Sequence, residues 1–302
     1  MRPVIASCCL LGLAACAVPS GPGNGERGDH LVFEGVLTTV PEMLLLDTAT
    51  NVVSRLLPAG TVAMDPTPSP DGARIAFVVA NYAESTGDIW IVNRNGSGLR
   101  QLTTAPELDD QPSWSPDGSQ LVFRSFRTGR SGDIWRVNAD GSGAVNLTPD
   151  PLPGVTDERH PAWSPDGSRV AFTSDAGGNY DVWTMTAFGA SRVRLTSSPE
   201  FDAEPAWSPD GATIVFRRSD PLLGSDLWLV PSSGGAAGAI PLPGEQRQPL
   251  WSTDGVRLVF VSQPRVAHRP DISSTRPDGS DIRLLVGPAV TGGSLNPAWL
   301  RR

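Results

Sequence analysis

From residue 31 onward the chain contains many short segments in which apolar residues are set among polar ones. Residues 120–124, QLVFR, are an example, and such a pattern is typical of a half-buried β-strand. Asn-Gly, Asp-Gly and Pro-Asp-Gly sequences separate the segments, and these combinations form tight turns. With 32 Gly and 29 Pro among 302 residues, the pattern predicts an all-β chain of short antiparallel strands.

The segments belong to a repeat. WSPDG occurs at residues 114–118, 163–167 and 207–211, and WSTDG occurs at 251–255. From Gly72 to Gly255, the Gly of each Pro-Asp-Gly or Thr-Asp-Gly lies 44 to 49 residues after the previous one, and a Phe follows each Gly by five residues. An Asp-apolar-Trp triplet comes next, and three units close with Leu-Thr. A period of about 40 to 50 residues made of strand-like segments indicates the blades of a β-propeller.

Each unit predicts four strands, which we name A to D in chain order. Strand A surrounds the WSP sequence, strand B the Phe, strand C the Asp-apolar-Trp triplet, and strand D ends at Leu-Thr. Ser-Pro-Asp-Gly is expected to turn strand A into strand B, because Pro fixes φ and Gly adopts positive φ without strain. The pentapeptide therefore predicts a hairpin rather than a catalytic signature.

The nine Trp residues all occupy two positions of the repeat. An aromatic platform for glycans would place them irregularly on one face, whereas regular spacing favours packing between neighbouring blades. The second position, in strand C, holds Trp90, Trp135, Trp183 and Trp228. The first position, in strand A, holds Trp114, Trp163, Trp207, Trp251 and Trp299.

The two ends of the chain predict one shared blade. Trp299 begins a sixth unit three residues before the end, and residues 31–33, 44–47 and 54–57 match strands B, C and D. A ring closed in this way removes the exposed edges of its sheets. We therefore expect a six-bladed propeller over residues 31–302, closed by a C-terminal strand around Trp299 that joins the N-terminal strands.

The N-terminus resembles a bacterial lipoprotein signal peptide. Arg2 precedes an apolar stretch that is too short to span a bilayer, and the stretch ends at Ala15-Cys16. The resemblance implies a signal peptide over 1–15, a diacylglyceryl group on Cys16 and a flexible tether over 16–30. Alternatives are an ordinary secretory signal cut nearby, or a lipobox ending at Cys8 after a shorter apolar region.

The unit PxWSPDGxxLxFxSxxxGxxDIW resembles the repeat of TolB-type β-propellers, and the resemblance covers residues 31–302. It implies an envelope protein whose strands A line a central channel, but the N-terminal α/β domain of TolB has no counterpart in the tether. One polar residue precedes each Pro-x-Trp or its equivalent and would lie at the channel mouth. These residues are Asp65, Gln111, His160, Glu204, Gln248 and Asn296. Nearby charges are Asp109, Asp110, Glu158, Arg159, Asp202 and Arg247.

Two interpretations of the mouth remain open. The residues are either solvated loop side chains or a binding mouth for a peptide or ligand. The predicted binding set is Asp65, Asp110, Gln111, Arg159, His160, Glu204, Gln248 and Asn296. We expect no catalytic residue, no cofactor and no metal, although Asp109, Asp110 or Asp202 offer oxygen ligands of the kind that Ca²⁺ prefers.

The predicted function is that of a non-catalytic scaffold. It would bind an envelope protein or peptide and be anchored by lipid, most simply at the periplasmic face of the outer membrane, as a monomeric propeller. The formal charge of −8 argues against a nucleic-acid partner, which needs a clustered basic face. The alternative is a carbohydrate-active lyase or hydrolase, or a glycan-binding protein, that uses the channel residues.

Overall fold

The computed structural model describes residues 16–17, 30–35, 40–47, 50, 52–81, 84–150, 155–222, 224–263, 270–287 and 296–300. These residues form strands and turns and include no helix, so none of them forms an apolar helix that spans a membrane. Strands in the first part of the chain are β1 (Cys16–Ala17), β2 (His30–Gly35), β3 (Glu42–Asp47) and β4 (Val52–Arg55).

Five four-stranded antiparallel blades follow, each in the predicted order A to D. Blade 1 has β5 (Met64–Pro68), β6 (Arg74–Asn81), β7 (Thr86–Asn93) and β8 (Arg100–Gln101). Blade 2 has β9 (Asp109–Trp114), β10 (Gln120–Ser125), β11 (Asp133–Asn138) and β12 (Val145–Asn146). Blade 3 has β13 (Glu158–Trp163), β14 (Arg169–Ser174), β15 (Asp181–Thr186) and β16 (Val193–Arg194). Blade 4 has β17 (Phe201–Trp207), β18 (Thr213–Asp220), β19 (Gly224–Pro231) and β20 (Gly238–Ala239). Blade 5 has β21 (Glu245–Trp251), β22 (Leu258–Gln263), β23 (Asp271–Thr275) and β24 (Arg283–Val286), and the last strand of the chain is β25 (Ala298–Leu300).

The sixth blade closes the ring from both ends of the chain, which confirms the predicted architecture. Its strand order is β1-β4-β3-β2-β25, with Leu31 opposite Trp299 and Val32 opposite Ala298. We call it the closing blade. β2 begins at His30, one residue before the predicted start of the propeller, and β1 adds a two-residue fifth strand beside β4. Residues 1–15 and 18–29, which include all of the predicted signal peptide and most of the predicted tether, lie outside the described residues.

Apolar clusters lie between neighbouring blades, as the pleat of the strands requires. Leu31 and Trp299 of the closing blade pack with Val259 of blade 5, whereas Val32 of the same blade packs with Ile75 of blade 1. Because successive residues of a strand point to opposite faces, each blade contributes to the cluster on either side of it. The strands A lie innermost, where each of β5, β9, β13 and β17 contacts strand A of the next blade.

The turn between strands A and B has the same hydrogen bonds in each of blades 1 to 5, which we call the regular blades. In blade 2, Ser115 Oγ donates to Asp117 Oδ1 at 2.6 Å and accepts the N–H of Gln120 at 2.9 Å, while Gly118 adopts a φ of +68°. The Trp of the motif lies at the boundary between blades. Trp114 Nε1 donates to the Thr67 carbonyl oxygen of blade 1 at 3.0 Å.

The Leu-Thr ending also has a structural reason. Thr148 Oγ1 at the end of strand D accepts the N–H of Ile134 in strand C at 2.8 Å, and Thr196 Oγ1 accepts that of Val182 at 3.0 Å. These hydroxyl groups satisfy buried backbone donors next to the Asp-apolar-Trp triplet. The repeat therefore specifies pairing within each blade.

Candidate functional site

A β-bulge interrupts strand A in each regular blade at the polar residue that precedes Pro. The bulge residues adopt left-handed backbone angles, with φ between +49° and +57°. They are Asp65, Gln111, His160, Glu204 and Gln248. In blade 2 the ladder shifts between Ser113 and Asp110, so that two residues of strand A face Phe123 of the repeat. The left-handed conformation costs a non-glycine residue about 1–2 kcal/mol, so other contacts must hold it in place.

Hydrogen bonds between blades supply those contacts. The side chain of one bulge residue accepts the N–H of the bulge residue in the next blade. Gln111 N donates to Asp65 Oδ2 at 3.3 Å, His160 N donates to Gln111 Oε1 at 2.8 Å, and Gln248 N donates to Glu204 Oε2 at 2.5 Å. All five bulge residues are half-buried around the inner strands. We call this arrangement the bulge ring.

The bulge ring joins the closing blade through a pair of acids. Glu34 Oε1 in β2 accepts the N–H of Asp65 at 2.6 Å, and it also accepts Asn296 Nδ2. Asn296 Nδ2 donates to Asp65 Oδ1 as well, at 2.7 Å. Burial and the Glu34 carboxyl raise the pKa of Asp65 to about 8, and burial raises the pKa of Glu34. The two acids therefore retain protons at a pH where ordinary carboxyls have lost them.

Two side chains of the ring have an unpaired atom. Among the residues that the structure describes, His160 Nδ1 and Gln248 Oε1 are buried and have no hydrogen-bond partner. Burial and the nearby guanidinium groups of Arg124 and Arg217 lower the pKa of His160 to about 3. Its imidazole is therefore neutral at physiological pH, so that one ring nitrogen is a donor and the other an acceptor.

The remaining predicted mouth residues are engaged in ion pairs. Asp110 forms a bidentate pair with Arg124 at 2.8 and 2.6 Å. Arg159 pairs with Asp157 and donates to Tyr180 Oη at 2.8 Å. The structure thus brings Asp65, Gln111, His160, Glu204, Gln248 and Asn296 together in one ring, and places Asp110 and Arg159 beside it with partners of their own.

These features lie on a fold that comparisons with known proteins also identify. The family described as the TolB beta propeller domain matches residues 21–151 and 152–298. The chain belongs to the TolB β-propeller family. Over 46 residues, 15% of this chain, it is 46% identical to the Tol-Pal system protein TolB of Anaeromyxobacter dehalogenans strain 2CP-C, and the match spans 10% of that relative.

Solved structures of low sequence identity share the TolB-type propeller fold. TolB from Acinetobacter baumannii is similar over 92% of this chain and 68% of its own, with a TM-score of 0.77 and 21% identity. Oligogalacturonate lyase in complex with manganese is similar over 84% of this chain and 73% of its own, with a TM-score of 0.60 and 15% identity. At these identities the likeness concerns the fold alone.

Three residues beside the bulge ring were not among the predicted ones. Glu34 bonds to Asp65 and Asn296, Arg124 pairs with Asp110, and Arg217 Nε lies 3.2 Å from Glu204 Oε1. Each directly follows the Phe of strand B, and this position varies among the blades. Its residues are Glu34, Val78, Arg124, Thr173, Arg217 and Val261. Variation at one position of an otherwise regular repeat was the signal that would have found them.

The acids considered for Ca²⁺ have guanidinium partners instead. Asp109 is buried and pairs with Arg127 at 2.5 Å, and Asp202 is buried and forms a bidentate pair with Arg218 at 2.7 Å. Within the described ranges, no three Asp, Glu, His or Cys side chains are placed to hold one metal ion. Arg247 donates to Gln263 Oε1 at 3.1 Å.

Proposed function

We propose that this protein is a non-catalytic binding propeller of the bacterial envelope that takes an extended segment of a partner protein at the bulge ring. One observation carries the proposal: the ring of side-chain to backbone bonds is open at His160 and Gln248. An unpaired buried polar atom is costly, by about 1–3 kcal/mol. The backbone of an extended peptide presents both donors and acceptors that satisfy such atoms.

The surroundings of the ring support a binding role more than a catalytic one. Glu204 pairs with Arg217, and the low pKa of His160 makes it a weak proton acceptor. General acid–base catalysis works best with groups whose pKa lies near the working pH. Asp65, whose pKa is about 8, meets this condition, but both of its carboxyl oxygens already accept hydrogen bonds, from Gln111 and Asn296. A lyase or hydrolase is the alternative, and turnover of a uronic-acid polysaccharide that is lost on His160→Ala would establish it.

Similarity to TolB supports the cellular setting. The relative from Anaeromyxobacter dehalogenans is named a Tol-Pal system protein, and by analogy we place this protein in the periplasm. The lipobox-like sequence ending at Cys16 supports a lipid anchor, most simply at the periplasmic face of the outer membrane.

The test is a quantitative pull-down from an envelope extract with the purified chain and with His160→Ala/Gln248→Ala. We expect the double variant to lose a partner that the parent chain retains. The matched control is Arg276→Ala, an exposed residue in the C–D turn of blade 5, at the opposite end of the blades. Equal recovery with all three chains would contradict binding at the ring.

A further inference from the structure

A second set of acids lies at the boundaries between blades. In blades 2, 3 and 4 a fully buried carboxylate stands two residues before the bulge residue of strand A. These acids are Asp109, Glu158 and Asp202. Blade 5 has the neutral Gln246 at this position, and blade 1 has Ala63. A buried carboxylate needs a compensating cation or several hydrogen-bond donors, so we expect a partner for each of these acids.

Two of the three acids have an arginine of this chain. Arg127 lies 2.5 Å from Asp109 Oδ2, and Arg218 donates to both oxygens of Asp202. Glu158 has neither arrangement. Its Oε1 accepts Ser174 Oγ at 3.0 Å, and its Oε2 is buried without a hydrogen-bond partner in the described part of the chain.

A cavity of about 150 Å³ lies at the same boundary, between blades 2 and 3. It is lined by Thr128, Asp133, Asn146, Asp150 and Thr156, among others. Burial and the carboxyls of Asp150 and Asp133 raise the pKa of Glu158 to about 7. Asp133 and Asp150 line the cavity, and Glu158, two residues beyond the lining residue Thr156, lies close enough to both acids for their charges to act on it.

The chain itself shows which group is missing. Arg127 stands in the B–C turn of blade 2, where its N–H donates to Ser125 Oγ at 3.4 Å and Gly129 N donates to Phe126 O at 3.2 Å. The B–C turn of blade 3 has the same two bonds. Ala176 N donates to Ser174 Oγ at 3.2 Å, and Gly178 N donates to Asp175 O at 2.9 Å. Ala176 thus occupies the place of the arginine that neutralises Asp109 in blade 2.

We propose that the cavity between blades 2 and 3 receives a guanidinium group, from an arginine of the partner protein, that pairs with Glu158 and Asp133. The cavity opens at the end of the blades where strand A begins, which is also the end that holds the bulge ring. Asp133 and Asp150 line the cavity and Glu158 lies beside it, and among the described residues no three such groups converge on one point, which suits a flat polyatomic cation better than a metal ion. The proposal rests on the proposed function only for the source of the arginine.

The test uses a small probe, so that it is independent of any partner. N-acetyl-arginine methylamide is titrated into the full chain and followed by calorimetry, with the citrulline analogue as the uncharged control. We expect saturable binding of the arginine probe to the parent chain. The affinity of citrulline for the parent chain, and that of the arginine probe for Glu158→Gln, should be at least about tenfold lower, because a charge-assisted pair is lost.

Two further variants separate a binding role from a structural one. Ala176→Arg supplies the guanidinium from within, so it is expected to raise the melting temperature and abolish binding of the probe. Ala176→Gln, its uncharged control, is expected to bind as the parent chain does. The proposal is overturned by equal binding of citrulline, by unchanged binding to Ala176→Arg, by no binding to the parent chain, or by Ca²⁺ binding in place of the arginine probe. A failed pull-down with intact probe binding would instead contradict only the bulge ring as partner site.

Discussion

Removal of β25 tests the closure of the ring most directly. The perturbed chain ends at Pro297, so that β2 loses the strand that pairs with residues 30–32. Two large side chains leave the core with β25, since Trp299 is 8% exposed and Leu300 is fully buried. Their loss opens the apolar clusters on both sides of the closing blade, the one with blade 5 and the one with blade 1.

The expected cost is comparable with the whole stability of the fold. Deletion of a buried Trp side chain costs about 3–5 kcal/mol and that of a buried Leu about 2–5 kcal/mol. The sum of roughly 5–10 kcal/mol approaches the 5–15 kcal/mol by which a typical domain is stable. We therefore expect the truncated chain to lose its cooperative thermal transition or to melt far below the parent chain, and to associate through the exposed edge of β2.

Circular dichroism melts with size-exclusion chromatography measure both effects. The matched control is Trp299→Phe, which keeps an aromatic ring in the cluster. No described residue accepts a bond from Trp299 Nε1, so this variant loses packing volume alone and should melt only slightly below the parent chain. A truncated chain that melts at the parent temperature would refute closure of the ring by β25.

Three further predictions concern other parts of the molecule. Asp65 in the folded chain keeps its proton up to a pKa of about 8, whereas an ordinary aspartate loses its proton near 3.8, so the contribution of Asp65 to stability falls as pH rises between these values. Asp65→Asn should therefore flatten the dependence of melting temperature on pH, and an unchanged slope would contradict the assignment. Gly189 and Gly234 both have positive φ, but a Cβ at Gly189 would overlap a backbone carbonyl oxygen, whereas one at Gly234 would meet nothing. Gly189→Ala should therefore lower the melting temperature more than Gly234→Ala, and equal losses would argue against this contact. Cys16→Ser should move the protein from the membrane to the soluble fraction, and continued membrane retention would exclude lipidation there.

The sequence predicts the blades well because each motif acts locally. Ser115 and Gly118 specify a turn whatever surrounds them, and a period of 44 to 49 residues sets the number of blades. The bulge ring was only partly predictable. The sequence marks Gln111 and His160 as variable, but their bond depends on a left-handed bulge that points one side chain at the next blade. Glu34, like Arg124 and Arg217, follows the Phe of strand B, and its bond to Asp65 depends on how two blades pack together, which no local motif specifies.

Among the described residues, blade 3 has more buried polar side-chain atoms without a hydrogen-bond partner than any other blade. In blade 2, Gln111 reaches the next bulge residue and Arg127 neutralises the buried acid. At the matching positions of blade 3, His160 retains an unpaired nitrogen and Glu158 an unpaired oxygen. Both residues lie in β13, on either side of Arg159, where the bulge at His160 interrupts the regular alternation of faces. A partner bound at blade 3 would meet both atoms within three residues of one strand, which is why we expect partner binding to be most sensitive to substitutions in this blade.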